Sequence, residues 1–317
     1  MIRLSAFGDI LRTLPALHAL RKAFPGARIV WAAQDMARSL LDGHPEVDEW
    51  LYFPRRGGWG KWMKFLKNLR AREYDLALDF HGRLKSALVL RAARGARKVG
   101  LAPPGSREGA RVFYREAVSC DTPNRVEQTF CLLKHVGAEP LAEWTLPLCP
   151  DARAWAREAV EPLGGKRIAF FFPGASTRRY GARKRWSEEG FAELGKQLLA
   201  AFRDTAVVVG HGPGEEGLAR RIVSRIGEGA HLGPTTTLPQ LAALIARCAL
   251  YVGGDTGPTH LAWLLRVPTV ALYPASPPER STPPFDLPYR AVPLSRAAPL
   301  GEAVASVEQA VRSLLEH

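Results

Sequence analysis

Asp255 and His260 lie five residues apart in LYVGGDTGPTHLAWLLRVPTVAL, residues 250–272, with Gly253, Gly254 and Gly257 around the acid and Pro258 just behind it. Glycines let backbone approach a ligand closely. A helix that begins immediately after them presents unpaired N–H groups and the positive end of its dipole to an anion. Proline suits the first helical turn, where its missing N–H is not needed. The stretch therefore has the chemistry of a phosphate seat bordered by a carboxylate and an imidazole. It is equally a plain strand-to-helix turn with Asp255 or Thr256 as the helix cap.

Three more short stretches carry side chains of this kind. In Ser5-Ala6-Phe7-Gly8-Asp9 the acid opens a helix, where it serves the helix dipole or acts as a general base. Residues 173–186, PGASTRRYGARKRW, set the hydroxyls of Ser176 and Thr177 beside Arg178, Lys184 and Arg185, suitable partners for a diphosphate or simply a solvated basic loop. In Gly210-His-Gly-Pro-Gly-Glu-Glu, either Glu215 or Glu216 can accept hydrogen bonds from a ribose, and both also fit a first helical turn. The residues alone do not choose between them.

These loops need strands and helices to hold them. Leu250–Val252 and Thr269–Leu272 are apolar, β-branched and too short for helices, as expected of strands buried on both faces of a parallel sheet. Ile2–Leu4, Ala27–Ala33, Trp50–Phe53 and Leu76–Asp79 read as strands in the first half. A single helix carries Ile10, Leu11, Leu14, Leu17 and Leu20, and a basic amphipathic one runs from Trp59 to Arg72. His81–Ser86 leads into a helix through Leu90, followed by a loop rich in Arg, Gly and Pro. Ile168–Phe172 and Ala206–Gly210 repeat the strand pattern in the second half. Ser187 caps a helix through Phe202, Thr237 to Gln240 has capping-box spacing, and Ala303–Leu315 is a final amphipathic helix. Alternation of strand and helix makes the fold class α/β with parallel sheets. Periodicity fades between Gly137 and Asp151, so domains of 1–145 and 146–317 are expected.

Composition narrows the class further. The chain of 317 residues is 46% hydrophobic and 24% charged, a globular profile, with no apolar run long enough to span a bilayer and no signal-peptide pattern. A cytoplasmic location follows as the expectation. Cys120, Cys131, Cys149 and Cys248 lack metal-ligand spacing, so four reduced thiols are expected and no metal. The net charge of +13 is concentrated: residues 52–115 hold 16 Lys and Arg against 4 Asp and Glu, a local +12 that leaves +1 for the rest. Such a region seeks a nucleic acid, an anionic membrane surface or a phosphorylated substrate.

Arg-Leu-Ser-Ala-Phe-Gly-Asp-Ile, followed by Thr-Leu-Pro-Ala-Leu, and Asp-Thr-Gly-Pro-Thr-His-Leu-Ala, followed by a strand ending in Tyr-Pro, resemble the two signatures of glycosyltransferase family 9, the ADP-heptose:lipopolysaccharide heptosyltransferases. His81-Gly82-Arg83-Leu84-Lys85-Ser86 resembles the family's Gly-Leu-x-Lys-Ser region, and Lys184-Arg185-Trp186 its Lys-x-Trp, with Ser187 where proline is usual. The first strand is shorter than the family's, so the native start is expected upstream of Met1 or the strand is trimmed. The resemblance implies two Rossmann-like domains facing across a cleft, the GT-B type, and metal-independent, inverting transfer of heptose from ADP-heptose to a lipopolysaccharide inner-core acceptor (Kdo-lipid A or heptosyl core). It implies Asp9 as the base and Lys184, Asp255, Thr256, Gly257 and His260 at the donor, where Ser176, Thr177 and either Glu215 or Glu216, singled out above by their own chemistry, are expected to join them. The basic region then meets an anionic, lipid-linked acceptor through Arg55, Arg56, Lys61, Lys64, Lys85, Arg107 and Arg111. Peripheral contact with the inner membrane's cytoplasmic face, and a last helix able to pack back on the first domain, complete the expectation. A nucleotide-sugar epimerase of the same fold, or a non-catalytic basic protein binding nucleic acid or membrane, remains the alternative.

Overall fold

The computed structural model describes residues 1–54, 58–175, 182–295 and 297–316. The chain divides into two units, Met1–Pro147 and Leu148–His317. In the first, strands β1 (Val30–Gln34), β2 (Glu49–Phe53), β3 (Glu73–Asp79), β4 (Arg94–Leu101) and β5 (Glu116–Val118) pair in parallel, β1 with β2 and β3 with β4 with β5. The extended segment Met1–Leu4 joins the two sets. Ile2 N–H donates to Leu78 O (2.8 Å), Phe80 N–H to Ile2 O (3.0 Å), Arg3 N–H to Ala32 O (3.1 Å) and Gln34 N–H to Leu4 O (2.9 Å). Across the sheet the order is β2, β1, Met1–Leu4, β3, β4, β5. The direction of strand succession reverses between Met1–Leu4 and β3, the position where open α/β sheets bind ligands.

Helices α1 (Phe7–Leu11), α2 (Leu14–Ala23), α3 (Arg38–Leu41), α4 (Trp59–Arg70), α5 (Leu84–Ala92) and α6 (Glu127–His135) connect these strands. Where periodicity predicts one helix over residues 10–20, there are two. Pro15 lies in the first turn of α2 and has no N–H to continue the α1 ladder, and Thr13 Oγ1 bonds the Asp9 carbonyl at 2.9 Å. The Arg- and Gly-rich stretch expected as a loop is strand β4. Its cations disguise it: Arg94 pairs with Glu73 (2.9 Å) and Arg97 with Glu116 (2.7 Å) on neighbouring strands, while Val99 and Leu101 are buried. The expectation of four reduced thiols is also corrected. Cys120 and Cys131 form a disulfide because α6 packs beside β5, leaving exposed Cys149 and buried Cys248 as free thiols.

In the second unit, β6 (Arg167–Phe172), β7 (Thr205–Val209), β8 (Ala230–Leu232), β9 (Leu250–Gly254), β10 (Thr269–Tyr273) and β11 (Tyr289–Pro293) form one parallel sheet in the order β8, β7, β6, β9, β10, β11. The strand order of the first unit recurs, with its reversal between β6 and β9. The sheet is covered by α7 (Pro150–Val160), α8 (Glu188–Ala201), α9 (Glu216–Ile226), α10 (Leu238–Ile245), α11 (Gly257–Leu264) and α12 (Leu300–Leu315). Ser187 Oγ caps α8 by accepting from Gly190 N–H (3.0 Å), and Thr237 with Gln240 forms the expected capping box on α10. Phe171, Val209, Val252 and Leu272 on one face pack against Phe191 and Leu194 of α8, Ile222 of α9 and Val307 of α12. The apolar stripe of α12, with Ala303, Val307 and Val311, is part of that core.

Candidate active site

In the first unit the loops after Met1–Leu4 and β3 lie side by side at the reversal of strand order. Asp9 sits in the first turn of α1, and its Oδ2 accepts the Ala6 N–H at 3.1 Å. Its Oδ1 meets Arg3 Nη2 at 3.0 Å and forms a second, tighter ion pair with Arg12. Burial works to raise the Asp9 pKa. Arg3, Arg12 and Arg125, together with the Ala6 N–H, outweigh it and hold the carboxyl well below the usual range. Arg3 is itself buried and also donates to the Phe80 carbonyl. Desolvation lowers the Arg125 guanidinium, which lies within the field of Asp9, Arg12 and Arg107.

The facing loop is held from beneath by Asp79. Its buried carboxylate accepts from His81 N–H (2.8 Å), Gly82 N–H (3.2 Å), Ser86 Oγ (2.9 Å) and Tyr114 OH (2.8 Å). Burial raises its pKa against these four bonds. Gly82 is required where it stands: its φ is +67°, and a Cβ would lie 2.7 Å from the Gly105 carbonyl oxygen. His81 Nδ1 accepts the Leu4 N–H (3.2 Å), and burial, with Arg3 and Lys85 nearby, lowers its pKa to about 3. Lys85 Nζ donates to Ser5 Oγ at 3.0 Å, tying the two loops together. The result is an ionised carboxylate set among guanidiniums, suited to receive an anionic molecule beside a proton acceptor.

In the second unit the loop after β6 meets those after β7 and β9. Lys184 Nζ contacts Asp255 Oδ2 at 2.8 Å and the Asp255 carbonyl at 3.1 Å, spanning the reversal between β6 and β9. Above it α11 starts at Gly257, with Pro258 in its first turn. Buried His260 turns Nε2 toward Asp255 Oδ1 at 3.6 Å, and its Nδ1 accepts the indole N–H of Trp263 at 3.1 Å. Of the adjacent glutamates, Glu215 is the one drawn into the loop cluster. Its Oε1 takes Arg185 Nη2 (2.7 Å) and Ala175 N–H (3.0 Å), while Oε2 takes Gly212 N–H (3.2 Å). A Cβ on Gly174 would lie 2.0 Å from Glu215 Oε2, so that glycine makes room for the carboxylate. Glu216 lies outside the cluster, paired along α9 with exposed Arg220 at 2.6 Å.

Of the expected residues, Asp9 and Lys85 come together in the first unit, and Lys184, Glu215, Asp255, Thr256, Gly257 and His260 in the second. Arg107 stands exposed at the border of the first group, its N–H bonded to the Gly82 carbonyl (2.8 Å). Lys61, Lys64 and Arg111 are exposed on outer turns. Arg55, Arg56, Ser176 and Thr177 lie outside the described residues. Arg3, Arg12, Arg125 and Trp263 were not anticipated. Trp263 stands three residues after His260 on α11, and Arg12, the helical C-cap of α1, three after Asp9, a spacing that puts both members of each pair on one face. Among the described residues, no group of three His, Cys, Asp or Glu side chains comes together to hold a metal ion.

Residues 62–298 match the family model described as glycosyltransferase family 9 (heptosyltransferase). The lipopolysaccharide core heptosyltransferase OpsX of Haemophilus influenzae is 25% identical over 292 residues, covering 89% of this chain and 80% of that one. Among solved structures, the family 9 glycosyltransferase of Veillonella parvula superposes with a TM-score of 0.84 at 20% identity, covering 99% of this chain and 96% of that one. The E. coli heptosyltransferase WaaC with ADP gives 0.71 at 25% identity, covering 99% and 97%. With the same strand order in both units and these matches along its length, the chain is a glycosyltransferase of the GT-B type and belongs to glycosyltransferase family 9.

Proposed function

We propose that this enzyme transfers heptose from ADP-heptose to a lipopolysaccharide inner-core acceptor, Kdo-lipid A or its heptosylated form, with inversion and without a metal. The observation that carries the reading is the Lys184–Asp255 pair beside the α11 N-terminus, where an ammonium and free helix N–H groups stand ready for a diphosphate. ADP in the related E. coli enzyme supports the adenine nucleotide. Lys184 offsets charge on the diphosphate, the hydroxyls of Ser176 and Thr177 donate hydrogen bonds to it, and Thr256 and Gly257 offer it backbone N–H groups. Asp255 and His260 border the sugar, and Glu215, which retains lone pairs, accepts from the ribose.

In the reaction the acceptor hydroxyl oxygen bonds to the anomeric carbon as the bond to the diphosphate breaks, and ADP departs with that electron pair. The hydroxyl proton passes to Asp9. A carboxylate held down by two guanidiniums is a weak base at rest. Anionic groups of the acceptor, arriving at Arg12, Arg125 and Arg107, offset that field and restore basicity as the substrate docks. Lys61, Lys64, Lys85 and Arg111, with Arg55 and Arg56, extend the cationic approach. The enzyme works in the cytoplasm against the inner membrane, where a lipid-linked acceptor resides.

Incubation with ADP-heptose, with and without Kdo-lipid A, tests the reading. ADP release that requires the acceptor, together with a heptosylated product of inverted anomeric configuration, is the expected outcome. Interconversion of the sugar nucleotide without acceptor would replace transfer by epimerisation.

A further inference from the structure

Phe65 and Leu69 of α4, Ala87, Val89 and Leu90 of α5, and Ala110 of the turn Ala110–Phe113 belong to one core cluster on one side of the first unit's sheet. The opposite sides of these three elements therefore face solvent together. On α4 that side carries Trp59, Met63, Lys67 and Arg70, one stripe at helical spacing. On α5 it carries Leu84, Leu88 and Arg91, again one stripe. Val112 stands on the turn beside them. Trp59 is 79% exposed and Val112 77%, and these elements own five of the seven large hydrophobic side chains that the described residues expose.

Charge on this side is as uneven as hydrophobicity. Nearby arginines are already committed: Arg72 to Glu49, Arg83 to Glu108, Arg94 to Glu73 and Arg97 to Glu116. Among the described residues, Lys67, Arg70 and Arg91 stand in no ion pair, and they share their stripes with the exposed apolar side chains. Uncommitted cations beside a tryptophan and aliphatic residues match the layered chemistry of an anionic leaflet. Phosphates lie outermost, and an interfacial layer that favours Trp lies beneath. A second copy of the chain would bring like charge against like charge. A nucleic acid would leave the Leu and Met stripes without a counterpart.

We infer that the outer face of α4, α5 and the Ala110–Phe113 turn rests on an anionic lipid leaflet, with Trp59, Met63, Leu84, Leu88 and Val112 entering the headgroup layer. This rests on the membrane-surface part of the proposed function and assigns the face that performs it.

Co-sedimentation of the full chain with phosphatidylcholine vesicles, with and without phosphatidylglycerol, tests the assignment. Binding is expected only when the anionic lipid is present. Trp59→Ser with Met63→Ser, and separately Leu84→Ser with Leu88→Ser, should weaken it about tenfold or more through lost insertion. Lys67→Gln, Arg70→Gln and Arg91→Gln together should weaken it about a hundredfold, at roughly fivefold per charge. The serine variants should keep the wild-type melting temperature and turnover on a soluble, delipidated acceptor. Undiminished vesicle binding by both serine pairs, or equal binding to neutral vesicles, overturns the assignment. So does self-association, or a nucleic-acid complex, that the same serine pairs abolish. Vesicle binding without any sugar transfer would remove the heptosyltransferase reading and leave the lipid face standing. Transfer to soluble acceptor without vesicle binding would do the reverse.

Discussion

Trp263 donates its indole N–H to Nδ1 of His260 across 3.1 Å, and this fixes which imidazole nitrogen carries the proton. An indole is a donor only, so Nδ1 must be the acceptor and the proton resides on Nε2, directed toward Asp255 Oδ1 at 3.6 Å. His260 is thereby a neutral donor at the edge of the proposed sugar site. Trp263→Phe preserves most of the buried area but removes the N–H. It should raise the donor KM about fivefold while kcat changes less, in line with loss of one hydrogen bond. Nitrogen-15 NMR should show His260 Nδ1 unprotonated in the wild type and a mixture of tautomers in the variant. An unchanged tautomer together with unchanged KM would reduce Trp263 to core packing.

The glycine turn around Asp255 and the Lys184 loop were legible in the sequence because each is a contiguous string whose chemistry is local. Arg3, Arg12 and Arg125 were not, since they converge on Asp9 from an extended segment, a helix and an irregular loop. Strand β4 escaped because its outward cations are compensated by glutamates on neighbouring strands, a fact that exists only once the strands pair. The Cys120–Cys131 bond was hidden in the same way, because α6 must fold against β5 before the two thiols meet. Glu215 and Glu216 were indistinguishable as adjacent letters. One residue of helical rotation, about 100°, separates a loop anchor from a surface acid.

That difference is measurable. Glu215 is 9% exposed and ties Arg185 to two backbone N–H groups, whereas Glu216 makes an exposed pair four residues along its own helix. Glu215→Gln should cost about 1 to 3 kcal/mol of stability, allowing for the partial exposure of Arg185, and weaken ADP binding as the three loops loosen. Glu216→Gln should fall within about 0.5 kcal/mol of wild type and bind ADP normally. Thermal unfolding and calorimetric titration with ADP decide. Equal effects of the two substitutions would remove Glu215 from the donor site.

His81 predicts an acid weakness. Its folded pKa of about 3 lies below the ordinary imidazole value of 6.5, so the unfolded chain binds the extra proton. Stability from the neutral, buried ring is fully present above pH 6.5 and is lost progressively as pH falls toward 3, at about 1.4 kcal/mol per pH unit at most. His81→Asn retains an acceptor for the Leu4 N–H and cannot titrate. Urea unfolding at pH 7.5, 6.5 and about 4.5 should show a shallower acid decline in this variant than in the wild type. Parallel declines would mean that other groups govern the acid limb.

Asp9 is proposed as the base, and its surroundings set the pH at which that role fails. Arg3 and Arg12 hold its pKa well below the usual range, so the carboxylate stays ionised through the working pH of the cell. The sign follows from the depressed value: the stability contribution is fully present above the ordinary carboxylate pKa and is lost progressively as pH falls from there through the lower, folded one, and the base form is lost only at that folded value. The kcat/KM profile should therefore show no limb from Asp9 between pH 5 and 8. Arg12→Gln removes one guanidinium and should move the acid limb upward. Asp9→Asn keeps size and an acceptor for the Ala6 N–H but removes basicity, so kcat should drop about 10²-fold or more while ADP-heptose still binds. The substitution also leaves buried Arg3 facing a neutral amide, so a loss of about 1 to 3 kcal/mol in stability is expected, and activity must be compared below the variant's own melting temperature. Near-normal turnover by the folded Asp9→Asn enzyme would return Asp9 to the part of a helix-start acid that neutralises two arginines, and the attacking hydroxyl would have to lose its proton elsewhere.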